Sequence, residues 1–180
     1  YSILHGHGGH ISMASEPGHE TRVTIYLPAQ RSEDPPGLAT PANKQAAEGK
    51  RVLAMDEEDS IRRLLERSLE SLGYEVETAR DGDEAIAIAG RAAQQNNPFH
   101  LAILDLTVAG GKGAKETVDE LKTRHPHIKV IASSGHRNNE IMRNYRQYGF
   151  DDAIAKPYHV NQLEEAVHRH ICWNAANHHD

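Results

Sequence analysis

From Arg51 onward, short apolar runs alternate with longer stretches whose apolar residues recur every three or four positions. Residues 51–55, 99–105, 129–132 and 152–155 form the runs, and 74–78 is read as a further strand. An apolar run of this length predicts a strand buried on both faces, as in parallel sheets covered by helices. The intervening stretches read as helices. Ile61, Leu64, Leu65, Leu69 and Leu72 share one helical face, with Asp59 as N-cap and Gly73 as the stop. Asp81-Gly82 turns the chain into an Ala/Ile-rich helix over 84–93, which Asn96-Asn97-Pro98 ends. A third helix reaches about Arg124 and stops at His125-Pro126. A fourth spans 138–148 and ends at Gly149. A fifth carries Val160, Leu163, Val167 and Ile171 on one side.

Strand and helix thus alternate through five units. Right-handed crossovers then predict an α/β domain over 51–172, a three-layer doubly wound five-stranded parallel sheet in the flavodoxin-like order 2-1-3-4-5. Upstream the pattern differs. Residues 11–15 and 22–27 alternate apolar and polar around Glu16-Pro17-Gly18 and predict a β-hairpin within 1–30. Two strands with one partial apolar face need further packing, so this segment reads as the end of a larger unit. Residues 31–50, rich in Pro, Ala, Gly and charge without apolar period, read as a linker, and 173–180 as a tail.

Composition narrows the function classes. A formal charge of −6, from 26 acids against 20 bases, argues against nucleic-acid binding. No apolar run approaches the roughly 20 residues of a membrane span, and the start lacks a signal-peptide layout. The single cysteine, Cys172, excludes an internal disulfide and fits a reducing, cytoplasmic setting. The 13 histidines, including His5, His7, His10, His178 and His179, show no repeated ligand spacing and read as solvated. Cys172 and Trp173 read as packing residues. Gly110, Gly111 and Gly113 precede no Lys-Ser/Thr pair and so do not make a phosphate-binding loop.

The candidate chemistry lies where the strands stop. In an open α/β sheet, ligands bind at the carboxyl ends of the strands. The predicted order brings Asp56 and Glu57, Asp105, Ser134 and Lys156 together there. Carboxylates gathered in one pocket repel one another and call for a hard cation with oxygen ligands, Mg²⁺, held by Asp56, Glu57 and Asp105. Asp105, at the centre of the sheet, is placed to act as a carboxylate nucleophile that forms an aspartyl phosphate. Lys156 supplies positive charge to phosphoryl oxygens and Ser134 a hydroxyl donor, which suits phosphoryl transfer. Strand alternation points Ser133 away when Ser134 points in. Thr107 and His136 flank the pocket and are candidates for tuning attack by water.

These motifs, Asp56-Glu57, Leu104-Asp105, Ser134-Gly135 and Lys156-Pro157, resemble the response-regulator receiver domain across a whole domain. The resemblance implies that Asp105 is the phosphoacceptor, Asp56 and Glu57 the metal-binding acid pair, Ser134 the switch hydroxyl and Lys156 the phosphate-contacting lysine. The Thr107 carbonyl would be a further metal ligand. Glu57 stands in place of the commoner second aspartate, Ala109 where proline is common, and Ala153 where many receivers carry an aromatic. His7-Gly8-Gly9-His10-Ile11, Ser15-Glu16-Pro17-Gly18 and Thr24-Ile25-Tyr26-Leu27-Pro28 resemble the closing segment of the histidine-kinase ATP-binding domain. The nucleotide-binding boxes of that family lie upstream of this stretch, so no ATP binding by this chain is expected.

The resemblance implies a receiver of a hybrid sensor histidine kinase. Its partner would be a dimerisation or phosphotransfer domain carrying phosphohistidine, and its only chemistry self-phosphorylation and autodephosphorylation. Two rival readings stand. A degenerate receiver acting only as a protein-binding module is suggested by Ala109 and Ala153. A phosphatase of the haloacid-dehalogenase type would also use a strand-end aspartate, but on the first strand and with Asp-x-Asp, where this chain has Thr107.

Overall fold

The computed structural model describes residues 9–16, 18–28, 47–107, 112–136 and 139–171. The expectations for His5, His7, Ala109, Gly110, Gly111, Cys172, Trp173, the tail and most of the linker lie outside these residues. The chain divides into two units, 1–38 and 39–180.

In the first unit β1 (His10–Ser15) and β2 (Thr21–Tyr26) pair antiparallel, with Ile11 opposite Ile25 and Met13 opposite Val23. This is the predicted hairpin. Met13, Val23 and Ile25 remain exposed on it.

The second unit holds β3 (Arg51–Met55), α1 (Asp59–Ser71), β4 (Glu75–Ala79), α2 (Gly82–Gln94), β5 (Leu101–Asp105), α3 (Ala114–Arg124), β6 (Lys129–Ser134), α4 (Glu140–Arg143), a 3₁₀ turn (Tyr145–Tyr148), β7 (Asp152–Ala155) and α5 (Val160–Ile171). The five strands are parallel in the order β4-β3-β5-β6-β7, which is the expected 2-1-3-4-5.

The three central strands β3, β5 and β6 are buried along their length, Lys129 excepted, because helices cover both faces of the sheet there, whereas the edge strand β4 alternates exposed Glu75 and Glu77 with partly buried Val76 and Thr78. Leu53, Ala102, Leu104 and Val130 pack with α2 and α3, while Val52, Ala54, Leu101, Ile103 and Ile131 pack with α1 and α5. Successive residues thus serve opposite cores, as strand alternation requires. Ala47 is fully buried in the α1/α5 core, so this unit's packing begins upstream of Arg51, inside the stretch read as linker. A Cβ on Gly82 would stand 1.9 Å from the Thr117 hydroxyl and 2.5 Å from the Lys112 carbonyl. Glycine therefore lets the start of α2 sit against α3.

Three local expectations are corrected. Asp59 is the first residue of α1 and Glu58 is the N-cap, with no side-chain cap. Asp59 instead pairs with Arg62 and Arg63. Leu64 is 45% exposed and Val160 49%, so the buried faces centre on Leu65 and Leu69 in α1, and on Leu163 and Val167 in α5. The fourth helix is not continuous. α4 is one turn long, Asn144 leaves helical geometry at φ −122° and ψ 31°, and the chain tightens into the 3₁₀ turn that Gly149 closes at φ 84°. Asparagine is a weak helix former whose side chain competes for backbone hydrogen bonds.

Candidate functional site

The alternation that divides the cores also sets the site. Val52 and Ala54 face α1 and α5, so Asp56, two residues further along, continues that row. Ile103 does the same for Asp105, and Ile154 for Lys156. Three adjacent strands therefore deliver two carboxylates and an ammonium to one side of their carboxyl ends. Asp56 is fully buried and Asp105 1% exposed. Lys156 Nζ lies 2.5 Å from Asp56 Oδ2 and 2.9 Å from Asp105 Oδ2.

Each carboxylate has a second hold. Asp56 Oδ1 accepts the Glu58 N–H at 3.0 Å. Asp105 Oδ1 accepts the Thr107 N–H at 3.2 Å, and Asp105 Oδ2 the Thr107 hydroxyl at 2.7 Å. Backbone bonds fix the strand ends, with Asp56 N–H donating to Ala79, Leu106 N–H to Ser133 and Lys156 N–H to Ser134. Burial alone would lower the Lys156 pKa. Its hydrogen bonds to Asp56 and Asp105 outweigh that and raise it above the ordinary lysine value, so the ammonium is charged throughout the neutral range.

Of the predicted residues, Asp56, Asp105, Thr107 and Lys156 are thus in direct contact. Glu57 is exposed on the loop leaving β3. Ser134 is fully buried, continues the Val130 and Ala132 row toward the other core, and its hydroxyl accepts the His136 N–H at 3.1 Å. His136 is thus tied to Ser134 through its backbone N–H. Among the described residues no three His, Cys, Asp or Glu side chains already stand as a metal-holding group. The donor set is nevertheless all hard oxygen, two buried carboxylates beside an acidic loop. That suits Mg²⁺, which keeps several waters and needs only one or two protein carboxylates.

Two contributors escaped the sequence reading. Arg62, one turn into α1, donates to the carbonyls of Asp56 at 2.8 Å and Glu57 at 3.0 Å, fixing the acidic loop. Its position one helical turn after the acids was the available signal. Tyr158, two residues after Lys156, places its Oη 2.5 Å from Ser133 Oγ and packs on the α1/α5 core. Ser133 does point away from Ser134, toward this tyrosine. Burial pushes the Tyr158 phenol up to about 12. Because burial raises the folded pKa, the stability that comes with burying the neutral phenol is whole below pH 10.0 and is lost as pH rises toward about 12, while the hydrogen bond to Ser133 opposes that shift. Tyr158→Phe is expected to cost about 1 kcal/mol in urea unfolding at neutral pH. An unchanged midpoint would show that the hydrogen bond contributes nothing.

Residues 52–168 match the family model for the response regulator receiver domain. The sensor kinase CckA of Brucella abortus is 30% identical over 178 residues, covering 93% of this chain and 18% of that protein. A CheY-like receiver domain protein from Methanospirillum hungatei superposes with a TM-score of 0.62 at 26% identity, over 71% of this chain and 97% of that one. The CheX–CheY–BeF₃–Mg²⁺ complex from Borrelia burgdorferi, at 18% identity, shares the fold with a TM-score of 0.63 over 71% of this chain and 96% of that one. The chain spans less than half the length of the curated relatives it matches.

Proposed function

Because this chain belongs to the response-regulator receiver family of two-component systems, we propose that Asp105 accepts a phosphoryl group from a phosphohistidine, and that the acceptance is the signal. The observation that carries this reading is the single ammonium of Lys156 lying against both Asp56 and Asp105 at the strand ends. An Asp105 carboxylate oxygen attacks phosphorus, the phosphorus–nitrogen bond to the donor imidazole breaks, and the imidazole takes up a proton. The negative charge that collects on the phosphoryl oxygens then faces Lys156, whose hold on Asp105 Oδ2 becomes available to it. The Thr107 hydroxyl orients the attacking carboxylate before reaction. Asp56, Asp105, Glu57 and the Thr107 carbonyl would hold Mg²⁺. Bound there, the ion supplies further neutralisation of phosphoryl charge.

The donor is read as a histidine-kinase dimerisation or phosphotransfer domain, and the setting as cytoplasmic. Among the described residues no helix is long and apolar enough to cross a membrane. Similarity to a sensor kinase over 93% of the chain, beyond the receiver itself, supports the hybrid-kinase reading. In it residues 1–30 are the end of an ATP-binding domain, 31–50 a linker and 51–172 the receiver. Thr107 and the segment at His136 would set the lifetime of the phosphorylated form, and Ser134 would leave the His136 amide to meet the phosphoryl group.

Beryllofluoride with Mg²⁺ tests the assignment. Amide resonances of Leu106, Thr107, Ser134 and Gly135 are expected to shift in the wild type and to stay in place in Asp105→Asn. Equal shifts in both proteins would overturn it.

A further inference from the structure

At the opposite end of the sheet from Asp105, a cleft of about 600 Å³ opens between the starts of β3, β5 and β6 and the end of α5. This volume lies within the roughly 300–1,000 Å³ usual for small-molecule sites. We propose that the cleft binds a small organic anion with an aromatic or aliphatic body, at a site separate from the phosphoryl chemistry.

The apolar part of such a ligand would lie against Phe99, Ile128 and Ile171. The Arg51 guanidinium, 4.3 Å from the Phe99 ring centroid and fixed by Glu75, Glu77 and the Asn97 carbonyl, supports that ring. Charge selects the anion. Lys50 and Arg124 line the cleft with four imidazoles, of His100, His125, His127 and His170, and no carboxylate among the described residues lines it. Of the two cations, Arg124 is partly balanced by Glu120 at 2.5 Å, and the His170 ring lies 3.0 Å from Asp152.

Two imidazoles are poised as hydrogen-bonding groups. His100 Nδ1 accepts the Arg51 N–H at 3.2 Å, so its neutral form carries the proton on Nε2 and is a donor. Burial, then the charges of Lys50 and Arg51, keep that ring's pKa below the ordinary histidine value. His125 Nε2 is buried and has no hydrogen-bond partner, the one such side-chain atom among the described residues. Buried polar atoms are rarely left so, and a polar ligand group would satisfy it. Among the described residues no three His, Cys, Asp or Glu side chains are grouped to hold a metal ion.

The test uses the whole chain, ¹⁵N-labelled, with 2-naphthoate as probe and the neutral 2-naphthamide as its control. Saturable shifts are expected at His100, His127 and Ile128, with the amide at least about tenfold weaker because it lacks the charge. The double variant Lys50→Gln/Arg124→Gln is expected to weaken naphthoate at least about fivefold and leave naphthamide unchanged. Were that variant to fail to fold, the acid-against-amide comparison on the wild type still decides. Absence of saturable shifts in the cleft, equal affinity for acid and amide, shifts confined to the exposed Met13, Val23 and Ile25 of the hairpin, or full naphthoate affinity in the double variant would each overturn the proposal.

Discussion

Lys156→Met is expected to destabilise the domain by about 3 kcal/mol and to slow phosphorylation from acetyl phosphate by roughly 100-fold or more. Methionine keeps an unbranched apolar stem of similar length and removes the ammonium, with its charge and its hydrogen bonds to both carboxylates. Asp56 and Asp105, each within hydrogen-bonding distance of that ammonium and themselves nearly inaccessible, would then face each other without a cation. Removing one partner from a buried charged set is costly because the remaining charges stay desolvated. Part of Lys156 reaches solvent, which places the loss at the lower end of the usual range. The kinetic loss has a separate origin, as one preorganised positive group facing developing charge is typically worth two to three orders of magnitude.

The pH dependence has a definite sign. A cation whose folded pKa is raised contributes fully below its unfolded value and loses that contribution as pH climbs through the folded one. The gap in urea stability between wild type and Lys156→Met should therefore be constant from neutral pH up to about 10 and close above 10.5. No gap at neutral pH, or one that persists unchanged into strong alkali, would show that the ammonium does not hold the two acids together.

Asp56→Asn is expected to weaken Mg²⁺ at least tenfold to a hundredfold, as read from Leu106 and Thr107 amide shifts during titration. The loss should come without collapse of the loop, because the asparagine carbonyl oxygen can still accept the Glu58 N–H. A neutral amide is a poorer ligand for a hard divalent cation and leaves Lys156 with Asp105 alone to balance it. The same titration separates the two receiver readings. Lys156 balances only one of the two buried carboxylate charges, and the negative charge left over is what a divalent cation would meet; a domain serving only as a binding module would leave it unused. A wild-type protein without any Mg²⁺ response would support that module; a saturable response lost in Asp56→Asn would exclude it.

The layering of the domain was legible because its signal is local. Apolar runs that stop on Asp56, Asp105, Ser134 and Lys156 mark where buried strands end, and right-handed connections leave few ways to order them. The break in the fourth helix was hidden by periodicity. Ile141, Tyr145 and Tyr148 keep helical spacing across Asn144, although the backbone there is no longer helical. Contacts between distant positions were out of reach in another way. The motif points Lys156 at a phosphoryl group, yet Lys156 also bonds Asp56 across 100 positions of sequence and so relieves part of the repulsion between the acids. The role of Tyr158 is not legible locally, because nothing in Lys156-Pro157-Tyr158 announces a hydrogen bond to Ser133, which requires β6 and β7 to be neighbours. The residue expected to be aromatic is Ala153, on the partly buried margin of the α2/α3 core together with Tyr145 and Tyr148. Rings of this region come instead from Tyr145 and Tyr148 in the 3₁₀ turn and from Phe150 just after it.

The most direct test of phosphoryl acceptance is mass spectrometry of the protein after incubation with acetyl phosphate and Mg²⁺, with peptide mapping of any adduct. The expected result is one hydroxylamine-labile phosphoryl group on the peptide containing Asp105, absent from Asp105→Asn. No adduct on the wild type, or an adduct that survives in Asp105→Asn, would contradict the account.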